Sequence, residues 1–385
     1  MTEFKISVPD SEILHLKKKL ELTRLPDEID QAGWDYGAPL SDIKRLVERW
    51  KGGYDWRKYE KELNDELPQF TRDIEVDGHG VLNIHYVYKK SEAKGAIPLL
   101  FVHGWPGSFI EVRKILPLLT AAQEGQPNFD VVAVGLPGYG FSEGTKKKGF
   151  GIPKYAEVGH KLMLALGYNE YVTQGGDWGA VITQEMASTY GPTHIKAWHS
   201  NMPLAEAPSE AQDELSAEDK ACLDRIKWYR TKGNGYFIEQ ATQPQTVGYS
   251  LADSPVGLLA WIYEKLIVWS DGYTWEDDEV LTWISIYWFS RSGPAATVRT
   301  YYEHRPEEMK STPPSIPFGA SYFPKEILAS PVRWLKSHNL VFHARHPKGG
   351  HFAAHEVPEL LVGDLRKMFG KGGPAFGVVN GRDGY

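Results

Sequence analysis

The pentapeptide Gly175-Gly176-Asp177-Trp178-Gly179 constrains this chain more than any other stretch, because glycines on both sides of one polar residue permit a turn too tight for ordinary backbones. Tyr171-Val172-Thr173-Gln174 before it reads as a strand, and Ala180 to Tyr190 after it as a helix. Asp177 therefore falls on a sharp strand-to-helix turn, with a carboxylate where such turns usually present a serine. The start of the following helix offers N–H groups and a partial positive charge that keep that carboxylate ionised. An acidic helix N-cap behind a glycine turn would look the same, so the decision falls to the other parts of a site.

A serine attacking a saturated carbon would form an ether, whereas a carboxylate forms an ester, which an imidazole-activated water can cleave. Asp177 thus points to displacement at an sp³ carbon that bears a leaving group, as in an epoxide or an alkyl halide. The apolar run Ile97-Pro98-Leu99-Leu100-Phe101-Val102 is a buried parallel strand leading straight into His103-Gly104-Trp105-Pro106-Gly107-Ser108. The loop after such a strand and the residue after the nucleophile donate backbone N–H groups to an oxyanion hole, which assigns Trp105 and Trp178.

Near the C-terminus Asn339 to Ala344 reads as a strand, and the loop after it ends in Gly349-Gly350-His351, with a helix from about Pro358. Flanking glycines let the His351 imidazole approach the turn, so His351 is the candidate general base. His346 and His355 lie close in sequence and raise the alternative of a metal, but no further ligand cluster accompanies them and no metal is expected. Ser315 to Phe323 reads as the last core strand before the histidine strand, closed by Pro324-Lys325-Glu326. Glu326 can accept from the Nδ1–H of His351 and fix its tautomer; a solvated charge on a turn is the alternative.

Taken together, His103-Gly104-Trp105-Pro106, Gly176-Asp177-Trp178-Gly179, Phe323-Pro324-Lys325-Glu326 and Gly349-Gly350-His351-Phe352-Ala353-Ala354 resemble the microsomal-type epoxide hydrolases, particularly their soluble fungal members. The likeness spans nearly the whole chain. It implies two cap tyrosines as proton donors to the epoxide oxygen: Tyr236, in Gly235-Tyr236 ahead of Gln240-Ala241-Thr242-Gln243-Pro244, and Tyr301, in Arg299-Thr300-Tyr301. Tyr302 adjoins Tyr301 and stays open as the true donor.

The resemblance also implies an α/β-hydrolase fold, a mostly parallel sheet flanked by helices, with an inserted helical cap and an N-terminal wrapping segment. The expected division is 1–90 for that segment, 91–203 and 315–385 for the core, and 204–314 for the cap. Ser11 is expected to cap the first amphipathic helix, and the glycine-rich stretch from Gly370 to Tyr385 to be a loosely held tail. The aromatic-rich stretches Trp261 to Trp269 and Trp275 to Trp288 read as lid helices whose rings favour apolar substrates, aryl-bearing ones among them.

A net charge of −7 disfavours nucleic acid, and one cysteine, Cys222, excludes an intrachain disulfide, which suits a reducing cytosol. Met1-Thr2-Glu3-Phe4-Lys5 lacks the apolar core of a signal peptide, and no run of about eighteen apolar residues exists, so a soluble cytoplasmic protein without a membrane partner is expected. The partners are then a small epoxide and water, with no cofactor; a homodimer stays open. The rival readings are a haloalkane dehalogenase, which would need N–H donors for halide, and a non-catalytic small-molecule receptor of the same fold.

Overall fold

Strands buried at every position need cover on both faces, and this requirement organises the chain. In the computed structural model, which describes residues 1–207, 214–310 and 312–385, β4 (Ile97–Val102), β5 (Phe129–Val134) and β6 (Tyr171–Gly175) are buried throughout. They form the middle of one nine-stranded sheet with β1 (Thr2–Glu3), β2 (Gln69–Val76), β3 (Gly80–Lys89), β7 (Ile195–Ser200), β8 (Phe318–Tyr322) and β9 (Leu340–Arg345). The order is β1-β2-β3-β5-β4-β6-β7-β8-β9. From β5 to β9 every pairing is parallel, and β1, β2 and β3 add antiparallel strands at one edge. This is the α/β-hydrolase fold, and in an open parallel sheet the loops at the carboxyl ends of the strands form the crevice where chemistry is done.

Between β7 and β8 the chain leaves the sheet and builds the cap from helices that include Gly235–Thr242, Pro255–Val268, Asp277–Trp288 and Arg299–Glu303. Residues 208–213, in the polar opening of the expected lid, and Ser311 lie outside the described residues. The aromatic content of the cap becomes its core: Trp269, Trp283 and Tyr287 are all buried. The N-terminal helices Asp10–Glu21, Leu40–Gly52 and Trp56–Glu66 bury Leu20, Leu46, Trp50 and Leu63. They also brace the cap, because Arg49 reaches Asp278 with both Nε and Nη2 at 2.7 and 2.8 Å and Tyr54 bonds Thr282. Among the described residues no helix is long and apolar enough to cross a membrane.

Two expectations fail. The first helix begins at Asp10 behind Pro9, whose carbonyl accepts from Glu12 and Ile13, so Ser11 lies inside the first turn and caps nothing. The segment from Gly370 to Tyr385 is docked: Asn128 donates to the Gly384 carbonyl at 2.8 Å, Gly384 to that of Gly95 at 2.7 Å, and Arg382 pairs with Asp130. Its own Ala375 and Val379 are buried. Gly372, Gly377, Gly381 and Gly384 serve tight turns at positive φ, which fold the segment back against the sheet.

Candidate active site

Asp177 occupies the turn between β6 and the helix Trp178–Tyr190 at φ 52° and ψ −129°, a conformation that costs a non-glycine residue about 1–3 kcal/mol. Close approach makes the turn possible: a Cβ on Gly179 would collide with the Val102 carbonyl, and one on Gly104 with the Asp177 carboxylate. The Trp105 N–H donates to Asp177 Oδ1 at 2.7 Å. Trp178 is the first residue of the helix, where N–H groups lack intrahelical acceptors.

The loop that carries Trp105 is held from both sides. His103 bonds the Gly104 carbonyl through Nδ1 and accepts from Leu136 N–H through Nε2, and burial pushes its pKa down to about 4. From the cap, Trp283 Nε1 donates to the Pro106 carbonyl at 2.5 Å and Tyr287 Oη to that of Gly107 at 2.6 Å. Those bonds turn the loop's carbonyls toward the cap and leave a backbone N–H for Asp177.

His351 is buried, with Nδ1 2.7 Å from Glu326 Oε1 and Nε2 3.4 Å from Asp177 Oδ2. Its backbone N–H is fixed on the Trp269 carbonyl of the cap. Burial alone would lower its pKa, but the Glu326 charge and the hydrogen bonds to Asp177 and Glu326 hold it well above the ordinary value. Glu326 follows β8, is 2% exposed, and also accepts from the Ile327 N–H at 2.6 Å. Asp177, His351 and Glu326 thus form a contiguous chain across three strand ends.

Tyr236 and Tyr301 are buried, whereas Tyr302 is 45% exposed. The Tyr236 ring stacks on Trp105 at 5.1 Å and 11°, and its hydroxyl lies 3.1 Å from that of Tyr229. Tyr301 meets Trp178 edge-on at 4.9 Å and Tyr236 at 5.8 Å. Among the described residues its hydroxyl has no hydrogen-bond partner, which costs about 1–3 kcal/mol unless a ligand or water uses it. Burial first, then neighbouring phenols and Asp177, keep both phenols protonated far above the usual range.

Three residues at this site escape a reading of the sequence. Tyr229 partners Tyr236, and Thr300 accepts from the Tyr139 hydroxyl and hydrogen-bonds that of Tyr155, contacts that seat the helix carrying Tyr301; no spacing signals either. Glu111 lines the cavity beside Asp177 and His351, and the Ser108-x-x-Glu111 pattern was its only visible mark. His346 and His355 point elsewhere, to Asp364 and Glu279. Among the described residues no cluster of three or more His, Cys, Asp or Glu converges as a metal site.

The sequence matches two protein families: the epoxide hydrolase N terminus over residues 1–112 and the alpha/beta hydrolase fold over residues 97–250. It is 39% identical over 380 residues to a putative epoxide hydrolase of Stigmatella aurantiaca, covering 96% of this chain and 84% of that one. It is 35% identical over 408 residues to epoxide hydrolase 1 of Sus scrofa, covering 95% and 88%. The solved structure of Aspergillus niger epoxide hydrolase superposes with a TM-score of 0.85 at 36% identity over 94% of each chain. That of juvenile hormone epoxide hydrolase from the silkworm Bombyx mori gives 0.84 at 30% identity, over 94% of this chain and 92% of the other.

Proposed function

The chain belongs to the epoxide hydrolase family, and from that premise we propose that it opens apolar epoxides to vicinal diols through a covalent ester on Asp177. Oδ1 rests on the Trp105 N–H, which leaves Oδ2 as the attacking oxygen. It displaces the epoxide oxygen at one carbon while Tyr236 and Tyr301 bind that oxygen and donate a proton, giving a hydroxyalkyl ester. His351, oriented by Glu326, then takes a proton from water, which adds to the ester carbonyl. The oxyanion forms at Oδ1 against the N–H groups of Trp105 and Trp178. Its collapse breaks the Cγ–Oδ2 bond, and the diol leaves with Oδ2.

The electrostatics favour this order of events. A charged Asp177 is one of the groups that hold a proton on His351, and conversion to a neutral ester removes that attraction. The imidazole therefore loses proton affinity when a base is needed, and the proton it releases can restore the phenol that protonated the alkoxide.

The observation that carries the proposal is the His351 ring bonded to Glu326 on one side and facing Asp177 on the other. A halide-releasing reaction would need indole donors at the carboxylate; the cap indoles of Trp261, Trp275 and Trp283 donate instead to Gln240, Ser270 and Pro106, while that of Trp178 is buried with no partner among the described residues, so halide release from an alkyl halide is the control that separates the two readings. The aromatic surround of Trp105, Trp178, Tyr236 and Tyr301 suits an apolar, aryl-bearing epoxide. In this scheme 91–203 and 315–385 carry the nucleophile, acid and base, 204–314 the proton donors, and 1–90 braces the cap. A lone cysteine suits work in the cytoplasm, and light scattering would tell a monomer from the homodimer we keep open.

The test is a single turnover of an aryl epoxide in heavy-oxygen water, with mass analysis of the diol and of the peptide containing Asp177. The first diol should carry ordinary oxygen and the peptide should gain the label. Label in the first diol would show direct attack by water and end the covalent scheme.

A further inference from the structure

Glu111 is an acidic side chain at the reacting centre to which the mechanism above gives no task. Ser108 starts a short 3-10 turn, Phe109–Val112, with its Oγ accepting from the Ile110 N–H, and the Glu111 carboxyl reaches back to the Ser108 N–H. These bonds hold the carboxyl over Gly107, where a Cβ would overlap its Oε1. There it shares a small cavity with Asp177, His351, Gly176, Asn201 and Ala353, and neither Tyr236 nor Tyr301 is among the lining residues. At about 10 Å³ the cavity has room for about one water molecule and none for an epoxide.

A second acid beside a nucleophilic carboxylate would repel it if both were charged. Burial, with Asp177 and Glu326 nearby, pushes the Glu111 pKa up to about 8 against the pull of His351, so at neutral pH the group is mostly the uncharged acid. An uncharged carboxyl keeps a carbonyl oxygen that can accept a hydrogen bond without adding charge.

We propose that Glu111 is a positioning residue for the second half-reaction, its carboxyl holding the water that His351 activates in the small cavity the two share with Asp177. The inference rests on the Asp177 ester. The water gives one proton to His351 Nε2 and directs the other to the Glu111 carbonyl oxygen, while its lone pair adds to Asp177 Cγ and the C=O electrons move to Oδ1. Collapse re-forms the carbonyl and breaks the Cγ–Oδ2 bond, the departing alkoxide takes the proton from His351, and the proton left on the new Asp177 carboxyl passes to His351, which restores the carboxylate. Glu111 ends as it began.

The experiment is a rapid-quench single turnover with an aryl epoxide, following the ester by peptide mass and the diol by chromatography, in the wild type, Glu111→Met and Glu111→Gln. Glu111→Met keeps the size but loses the acceptor. It should form the ester at the wild-type rate and hydrolyse it on the order of tenfold to a hundredfold more slowly, so that the ester accumulates. Glu111→Gln, which keeps an uncharged acceptor oxygen, should recover most of that loss. Unchanged hydrolysis in Glu111→Met overturns the proposal, as does an equal loss in both half-reactions, which marks a purely structural cap, or a Gln variant as impaired as the Met one. Absence of any ester in the wild type would instead remove the Asp177 chemistry itself and is read separately from the variants.

Discussion

Replacing Glu326 by Gln would remove one charge from a buried hydrogen bond and leave its shape nearly intact. In the native site Glu326 Oε1 lies 2.7 Å from His351 Nδ1. With the centres of charge about 4 Å apart and an effective dielectric of about 20, the attraction between this carboxylate and a forming imidazolium is about 4 kcal/mol. That stabilisation is needed when water transfers its proton to His351, and each 1.36 kcal/mol is about tenfold in rate. Ester hydrolysis in Glu326→Gln should therefore slow by about two to three orders of magnitude. Attack on the epoxide uses Asp177 and the tyrosines, so alkylation should persist and the ester should build up in the first turnover. The pH profile adds a signed check. The Glu326 charge raises the His351 pKa, so its removal must move the acid limb of hydrolysis to lower pH while the plateau falls. Stopped-flow tryptophan fluorescence with rapid-quench mass analysis separates the two steps. Wild-type hydrolysis, or an acid limb moved to higher pH, would refute the coupling of Glu326 to His351.

The cap phenols give the complementary result. Tyr236→Phe and Tyr301→Phe should each slow ester formation by about tenfold to a hundredfold and leave ester hydrolysis untouched, with a larger loss in the double variant. Tyr302→Phe, at an exposed position, should behave as wild type, and a loss there equal to that of Tyr301→Phe would reassign the donor. Acid stability follows from buried neutral imidazoles. Burial pushes His85 down to about 3 and His199 and His103 down to about 4 from 6.5. A pKa depressed in the folded state means that the unfolded chain binds the extra protons as pH falls. The stability these groups hold above pH 6.5 is therefore lost progressively toward pH 3 to 4. Urea midpoints should drop between pH 7 and pH 5, and a flat profile would contradict their burial as neutral rings.

The sequence by itself determined the parts whose chemistry is local. Gly175 to Gly179 can serve few structures other than a sharp turn, because side chains at the flanks would strike neighbouring backbone. The uninterrupted apolar run of β4 reads as a strand covered on both faces. A carboxylate on that turn limits the reaction to one that forms a cleavable ester, and the order of His103, Asp177, Glu326 and His351 along the chain is plain in the text. Beyond the motif residues that meet at Asp177, what crosses from one element to another was not legible. Glycine content at Gly370 to Tyr385 looks like looseness, yet those residues turn back and bond Gly95 and Asn128. Ser11 has a capping residue's chemistry, but the helix begins one residue earlier at Asp10. Nothing near Glu111 marks it as a neighbour of His351, and nothing near Trp283 or Tyr287 marks them as holders of the Pro106 and Gly107 carbonyls. Such contacts join residues distant in sequence through packing of cap against core, and pKa values shift with the burial that results. Only the assembled tertiary structure decides which groups lose water, and therefore which carboxyl stays charged and which keeps its proton.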